Sequence, residues 1–306
     1  MKVVDPPIFS IVIPTYNRPA QLAVCLQACA RLDYPRDRFE VIVVDDGGTT
    51  PLDAVVARFH GMLTIKLLRH ENAGPAAARN RGVSEARGEF LAFTDDDCAP
   101  ESNWLRALAS QFGASPDCAV GGQTLNALAH NIYSEASQLL ISYLFSYYNA
   151  IPRAARFFPS NNLAFPAERF RAIGGFDVTY TRAAGEDREL CDRWLHCGYR
   201  MVYAEEAVVR HAHDLTFRTF MRQHFHYGCG AFCFHQIRAR RGLHSIKVEP
   251  LSFYIDMLRF PFVSTHGLRA PSLMLLLVVA QVANAAGFFW GGNERKNMTP
   301  ARYLPR

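Results

Sequence analysis

The sequence predicts an α/β fold: a Rossmann-like, doubly wound and mostly parallel sheet with helices on both faces, plus a C-terminal helical, membrane-associated segment. Three observations predict it. Short β-branched runs alternate with helix-period segments over the first third of the chain, acidic clusters close two of those runs, and a single long apolar stretch comes late. In order, residues 8–13 (IFSIVI) form an apolar run stopped by Pro14, and residues 39–44 (FEVIVV) another stopped by Asp45-Asp46-Gly47-Gly48, so both read as central strands. Between them, residues 18–31 carry Leu22, Cys25, Leu26 and Cys29 at helical spacing, with Asn17 and Pro19 as start signals. The pattern repeats as a helix at 53–59, a strand at 63–68, a helix opening at Gly74-Pro75 and running to Ala86, and a strand at 89–94 ending in Asp95-Asp96-Asp97. A helix over 100–112, a strand near 118–122 and an aromatic stretch over 132–148 follow. Ser160-Asn161-Asn162 then leads into a short strand and a helix closed by Gly174-Gly175, and Gly185-Glu186-Asp187 opens another helix. Residues 201–209 read as a pair of short strands, and 216–241 as an amphipathic segment interrupted near Gly228 and Gly230.

A chain of 306 residues, 49% hydrophobic and 20% charged, can bury one large core or two modest ones, which excludes disorder and a disulfide-stapled miniprotein. A net charge of +5 is too mild for a dedicated nucleic-acid binder and suits a protein that handles phosphorylated ligands or rests on an anionic surface. The eight cysteines form no CxxC pair and read as reduced, mostly buried thiols, not a zinc site. Asp5, Pro6 and Pro7 interrupt the place where an export signal needs an apolar run, so the bulk of the chain is expected in the cytosol. Residues 273–290, polar only at Gln281 and Asn284, are long enough at about 1.5 Å per residue to cross most of a bilayer core. Arg259 and Arg269 precede this stretch and Arg295, Lys296, Arg302 and Arg306 follow it, so charge gives no clear orientation. The expected location is the cytoplasmic face of the membrane, peripheral or anchored by one helix; a buried or dimer-forming helix is the plain alternative.

Carboxylates crowded at the end of a buried strand repel one another unless a cation or donor groups compensate. An extended backbone turns Asp95 and Asp97 to one side, where they can grip a hard divalent cation that also bridges substrate phosphates. A helix N-cap is the structural alternative for that trio, and ordinary turn chemistry with Gly47-Gly48 is the alternative for Asp45-Asp46. His211 and His213, two apart in an extended segment, face one way, and one of them can complete a metal shell.

Taken together, Pro14-Thr15-Tyr16-Asn17-Arg18, Val43-Val44-Asp45-Asp46-Gly47, Asn72-Ala73-Gly74-Pro75-Ala76-Ala77-Ala78-Arg79-Asn80, Phe93-Thr94-Asp95-Asp96-Asp97, Gly174-Gly175-Phe176-Asp177 and Gly185-Glu186-Asp187 resemble the motifs of a family 2 glycosyltransferase with the GT-A, nucleotide-diphospho-sugar-binding fold. They run in the family's order over about residues 8–214. The resemblance implies a catalytic domain over 1–214, with a nucleotide-binding half at about 1–122 and an acceptor half at about 123–214, before a helical region at 215–306. It implies that Thr15, Tyr16 and Arg18 form a donor-binding loop, that Asp46 accepts hydrogen bonds from the base, and that Arg79 or Asn80 approaches the diphosphate or sugar. Asp95 and Asp97 play the DxD role, Asp95 and Asp96 count among the donor-binding residues, and Asp95, Asp97 and His211 are the implied ligands of Mg²⁺ or Mn²⁺, with Asp97 the principal one. Asp187 is the implied general base and Glu186 its neighbour at the acceptor, while Asn161 and Asn162 stand near the donor sugar. The implied partners are a nucleotide-diphosphate sugar and a glycan or lipid-linked acceptor, with no nucleic acid. The QxxRW motif of processive synthases is absent, which points to single-sugar transfer. Two alternatives remain: a sugar nucleotidyltransferase, which should carry a Gly-rich basic loop after the first strand, and a degenerate family member serving as a membrane-bound partner of an assembly complex.

Overall fold

The computed structural model describes residues 9–242, 249–264 and 268–297; residues 1–8, with Asp5, Pro6 and Pro7, and the C-terminal Arg302 and Arg306 lie outside them. The chain divides into two compact units. The first comprises Met1–Ala127, Phe145–Arg182 and Glu186–His213, and the second Leu128–Leu144, Ala183–Gly185 and Asp214–Arg306.

In the first unit the predicted alternation is present: β1 (Phe9–Thr15), α1 (Pro19–Cys29), β2 (Phe39–Asp45), α2 (Asp53–Ala57), β3 (Ile65–Arg69), α3 (Pro75–Glu85) and β4 (Phe90–Phe93). Strands β1 to β4 are parallel and lie in the order β3-β2-β1-β4. Their side chains alternate with the period of an extended chain. Ile11, Ile13, Val41, Val43 and Ala92 pack under α1 and α2, whereas Val12, Ile42, Val44, Leu91 and Phe93 pack under α3. Every residue of β1 and β2 is buried, which is why these strands read as continuous apolar runs. Strand order reverses beside β1, so the carboxyl ends of β1 and β4 open the crevice where such sheets bind ligands.

The sheet then becomes mixed. After β4 come β5 (Cys98–Pro100), α4 (Trp104–Ala114) and β6 (Ala119–Asn126). The helix expected over 100–112 begins only at Trp104, because Pro100 is still paired in β5. Helix α5 (Ile132–Tyr148) takes up the aromatic stretch and belongs through Leu144 to the second unit, whereas β7 (Leu163–Pro166), α6 (Ala167–Ala172), α7 (Glu186–His196) and β8 (Met201–His211) complete the first. Strand β7 runs antiparallel to both β4 and β6, and β5 antiparallel to β8, while β8 is parallel to β6. The expected strand pair over 201–209 is one strand whose register to β6 slips between Gly122 and Gln123, leaving Glu205, Glu206 and Ala207 as a bulge.

The second unit is helical: α8 (Phe217–Arg240), α9 (Leu251–Ser264) and α10 (Ala270–Asn297). Helix α8 is continuous through Gly228 and Gly230, and the break expected there is corrected. A side chain at Gly228 would lie 1.9 Å from the carbonyl oxygen of Asn284 in α10, and one at Gly230 would lie 1.8 Å from that of Ala184. Both glycines serve close backbone approach within an intact helix. Tyr143, Leu215, Phe220, Phe253, Met257, Leu273, Leu277 and Ala280 form this unit's core.

Candidate active site

Three loops at the carboxyl ends of β1, β2 and β4 form the floor of the site. Asn17 sits at φ 55°, a left-handed conformation that asparagine tolerates, and its Oδ1 accepts from the Thr49 and Thr50 amides at 2.8 and 3.0 Å. The loop after β1 is thereby tied to the loop after β2. Asp45 accepts from the Gly48 amide at 2.9 Å and lines an open cleft of ≈ 500 Å³ with Gly47, Gly48, Arg69, His70, Glu71 and Asn72. The sequence reading aimed Asp46 at the base. The carboxylate of Asp46 instead accepts from the amides of Ala73 and Gly74, both at 3.0 Å, and from Asn72 Nδ2 at 3.3 Å, fixing the start of α3. Arg69 and His70, which line this cleft with Asp45, carry no signal in the sequence reading. The Asp45-Asp46 pair was the available signal, and only the backbone could say which of the two faces the cleft.

The aspartate trio does not stay extended. The Cys98 amide donates to the Asp95 carbonyl at 3.1 Å, closing a turn that sends Asp95 to one set of partners and Asp96 and Asp97 to another, so the expected common side for Asp95 and Asp97 is corrected. Asp95 accepts from Arg79 Nη2 at 2.7 Å; Asp96 accepts from Thr15 Oγ1 at 2.7 Å and Arg18 Nη1 at 3.2 Å. Asp97 meets Arg18 at 3.0 Å and His211 Nε2 at 3.2 Å. Pairing of Cys98 with His211 across β5 and β8 is what brings that imidazole to the strand-end acid. Burial pushes the Asp96 carboxyl up to about 6 despite Arg18. For Asp97 burial works in the same direction, but His211, Arg18 and His213 together hold its carboxyl well below the usual range. His211 is raised, the loss of water being outweighed by Asp97, while burial and the neighbouring His211 lower His213 to about 4. The two imidazoles stack with centroids 5.0 Å apart, so they do share a side.

A second constellation joins α3 to α7. Arg79 is fully buried, its guanidinium 5.3 Å from the centre of the Phe176 ring, with Nη1 donating to Glu186 at 3.1 Å and Nη2 to Asp95. Burial alone would lower its pKa, and the two carboxylates more than reverse that. Asp187, next along α7, accepts from the Arg188 amide at 2.7 Å and lies against the Ser160 amide. Burial and the Glu186 carboxylate push it up to about 7, against the pull of those amides and of Arg79. Asn80 turns away from this center. Its side chain donates to the Phe176 carbonyl at 2.8 Å and accepts from the Phe176 amide at 2.9 Å. Asn162 is likewise enclosed, bonded to Trp104 Nε1, the Gln123 carbonyl and the Ala207 carbonyl at 2.8–2.9 Å. Asn161 accepts from Thr124 Oγ1 at 3.1 Å, and Tyr16 is half exposed.

Asp97, Cys98 and His211 offer ligand atoms within 4.8 Å of one another. Burial pushes the Cys98 thiol well above its ordinary pKa, and its soft sulfur suits neither Mg²⁺ nor Mn²⁺, which take oxygen and nitrogen donors. A carboxylate and an imidazole remain, a donor set that fits Mg²⁺ or Mn²⁺. Asp95 is committed to Arg79 and stands outside this group.

A strand-end crevice of this topology, with Asp97 and His211 in one connected group and Asp187 beside another, is the setting in which a nucleotide-sugar transferase works on a sheet of this kind. Residues 10–174 match the model of glycosyl transferase family 2, and residues 143–222 that of the N-terminal domain of galactosyltransferase. The chain belongs to glycosyl transferase family 2. It is 31% identical over 229 residues to the pre-mycofactocin glycosyltransferase of Mycobacterium tuberculosis, covering 72% of this chain and 46% of the relative. It is 30% identical over 231 residues to the validoxylamine A glucosyltransferase of Streptomyces hygroscopicus, covering 66% and 54%. The chain thus spans about half the length of these curated relatives. Its fold is GT-A: the mannosyltransferase PcManGT from Pyrobaculum calidifontis, solved in complex with GDP-Man and Mn²⁺, superposes with a TM-score of 0.60 at 22% identity, over 98% of this chain and 85% of that one.

Proposed function

We propose that the chain is an inverting glycosyltransferase that moves one sugar from a nucleotide-diphosphate donor to a hydroxyl of a glycan or lipid-linked acceptor, working at the cytosolic face of a membrane. The observation that carries this is the bridge from the strand-end acid Asp95 through Arg79 to Glu186, which places Asp187, the next residue of α7, beside the crevice, where burial and the Glu186 carboxylate push its pKa up. A base poised near the working pH removes a hydroxyl proton most effectively.

Asp45 and the cleft around it suit the nucleoside, with Thr15 and Arg18 beside it. Asp97 and His211 would hold Mg²⁺ or Mn²⁺, which supplies charge neutralisation at the departing diphosphate. Asp187 takes the proton from the acceptor hydroxyl as that oxygen bonds to the anomeric carbon and the bond to the diphosphate breaks. Arg79 holds Asp95 and Glu186 apart from each other's charge and so fixes the first turn of α7 that carries Asp187. The bound donors and Mn²⁺ of structural neighbours of the same fold are consistent with this division of roles.

A nucleotidyltransferase is disfavoured, since Pro14-Thr15-Tyr16-Asn17-Arg18 occupies the place of its Gly-rich phosphate loop. Against a degenerate partner protein stands the enclosed charge network itself, which is costly to keep without a ligand. The membrane location draws support from α10, of which Ala270–Gly292 has a mean hydropathy of 1.9. The test is transfer by the purified chain from a panel of nucleotide sugars, comparing wild type with Asp187→Asn. The substitution should abolish transfer and spare donor binding; an active variant removes the base role.

A further inference from the structure

We propose that the helical unit lies flat on an anionic bilayer, with α10 embedded in the headgroup region parallel to the membrane plane and not crossing it. This deepens the membrane location proposed above and rests on it. One side of α10 is consumed by the protein: Leu273, Leu277, Ala280 and Ala283 are buried, and a side chain at Gly287 would lie 1.9 Å from the Phe225 carbonyl oxygen of α8. The other side is an uninterrupted apolar stripe. Leu275 (61% exposed), Val278, Val282, Ala285, Ala286 and Phe289 (71% exposed) recur every three or four residues, with Trp290 at the end. The stripe from Leu275 to Phe289 runs about 21 Å along the axis, far more than a scatter of single exposed side chains.

The packing that consumes the first side also decides how α10 meets lipid. Glycines at the crossing let α10 and α8 pack backbone to backbone, so the two helices meet lipid together, and α8 bears exposed Arg218, Arg222 and Arg240. An α10 that crossed the hydrocarbon would draw these arginines toward it. A flat orientation leaves them at the headgroups, where guanidinium groups pair with phosphate. Charge also chooses lipid over a second copy of the chain. The helical unit holds twelve Lys and Arg against five Asp and Glu, a net +7, while the remainder of the chain is −2. Stripe-to-stripe pairing would bring two +7 units together, whereas an anionic bilayer neutralises them.

The test uses the purified full chain with a C-terminal tag and preformed vesicles, either of phosphatidylcholine alone or mixed with phosphatidylglycerol. The chain should float with the mixed vesicles about tenfold better than with phosphatidylcholine, and added protease should remove the tag completely. The double substitution Val278→Asp, Val282→Asp, at exposed positions, should abolish flotation with unchanged melting temperature, and Arg222→Glu should weaken it. A tag shielded from protease, with binding obtained only by reconstitution from detergent, would mean that α10 crosses; the flat orientation then fails and the membrane location stands. Binding equal on both vesicle types overturns the role of anionic lipid. No flotation, with a solution dimer that the double substitution splits, would show a second copy on the stripe and remove both proposals.

Discussion

Asp187 carries the sharpest expectations for a single side chain. Its raised pKa means that the folded state holds a proton that the unfolded chain, near the ordinary aspartate value of 3.8, has released. Between pH 4 and about 7 the native state therefore binds more protons, so the stabilisation is complete at the acid end and is lost as pH rises through 7. Melting temperature should fall over that window, and Asp187→Asn should flatten the fall, which a pH series of thermal melts would reveal. In the base role proposed for Asp187, activity runs the other way, because a base works only when deprotonated: kcat/KM should rise with pH to a plateau above about 7. Asp187→Asn should lower kcat by about 10²–10⁴-fold with little change in donor affinity, as steady-state kinetics beside calorimetric titration of the nucleotide would measure. At Asn162 the expectation is opposite in kind. Removing its amide in Asn162→Ala leaves Trp104 Nε1 and two carbonyls without partners, and should cost about 2–3 kcal/mol by urea denaturation while the surviving folded protein keeps its donor affinity. Lost donor binding at full stability would return Asn162 to the sugar site.

Helices and strands show where sequence was a sufficient guide. Strands β1, β2 and β4 were legible because burial on both faces demands continuous apolar runs, and the Gly74-Pro75 start of α3 because proline fits the first helical turn. Legibility ended where one backbone approaches another. Gly228 and Gly230 look like breaks in a lone helix, and only the neighbouring carbonyls of Asn284 and Ala184 reveal them as contact points. The same limit hid the turn at Asp95–Cys98 and the engagement of Asn80 with Phe176, both set by distant partners and not by local spacing. At the α8 and α10 crossing, Gly287→Val should destabilise the chain by about 1–3 kcal/mol, seen as a lower melting temperature, because its added carbon meets the Phe225 carbonyl. A crossing that accepts valine without loss would deny the close approach. Deleting α10 is a poorer probe of membrane attachment than surface substitution, since Leu273, Leu277 and Ala280 belong to the helical unit's own core.

For the whole molecule, the family and the GT-A sheet set the chemistry, and the charged groups converging at its strand ends set the mechanism. Thr15, Arg18, Asp96, Asp97 and His211 form one connected group, and Asp95, Arg79, Glu186 and Asp187 another, the two meeting in the single turn that follows β4. Asp97→Ala should remove Mn²⁺-dependent thermal stabilisation by nucleoside diphosphate while leaving the unliganded fold intact. The most direct measurement is release of nucleoside diphosphate from a panel of nucleotide sugars by the purified full chain, with Mn²⁺ and with EDTA, in wild type and in Asp97→Ala. The account predicts release from at least one donor with Mn²⁺, and its loss both in EDTA and in Asp97→Ala. Undiminished release by Asp97→Ala, or by the wild type in EDTA, would contradict it.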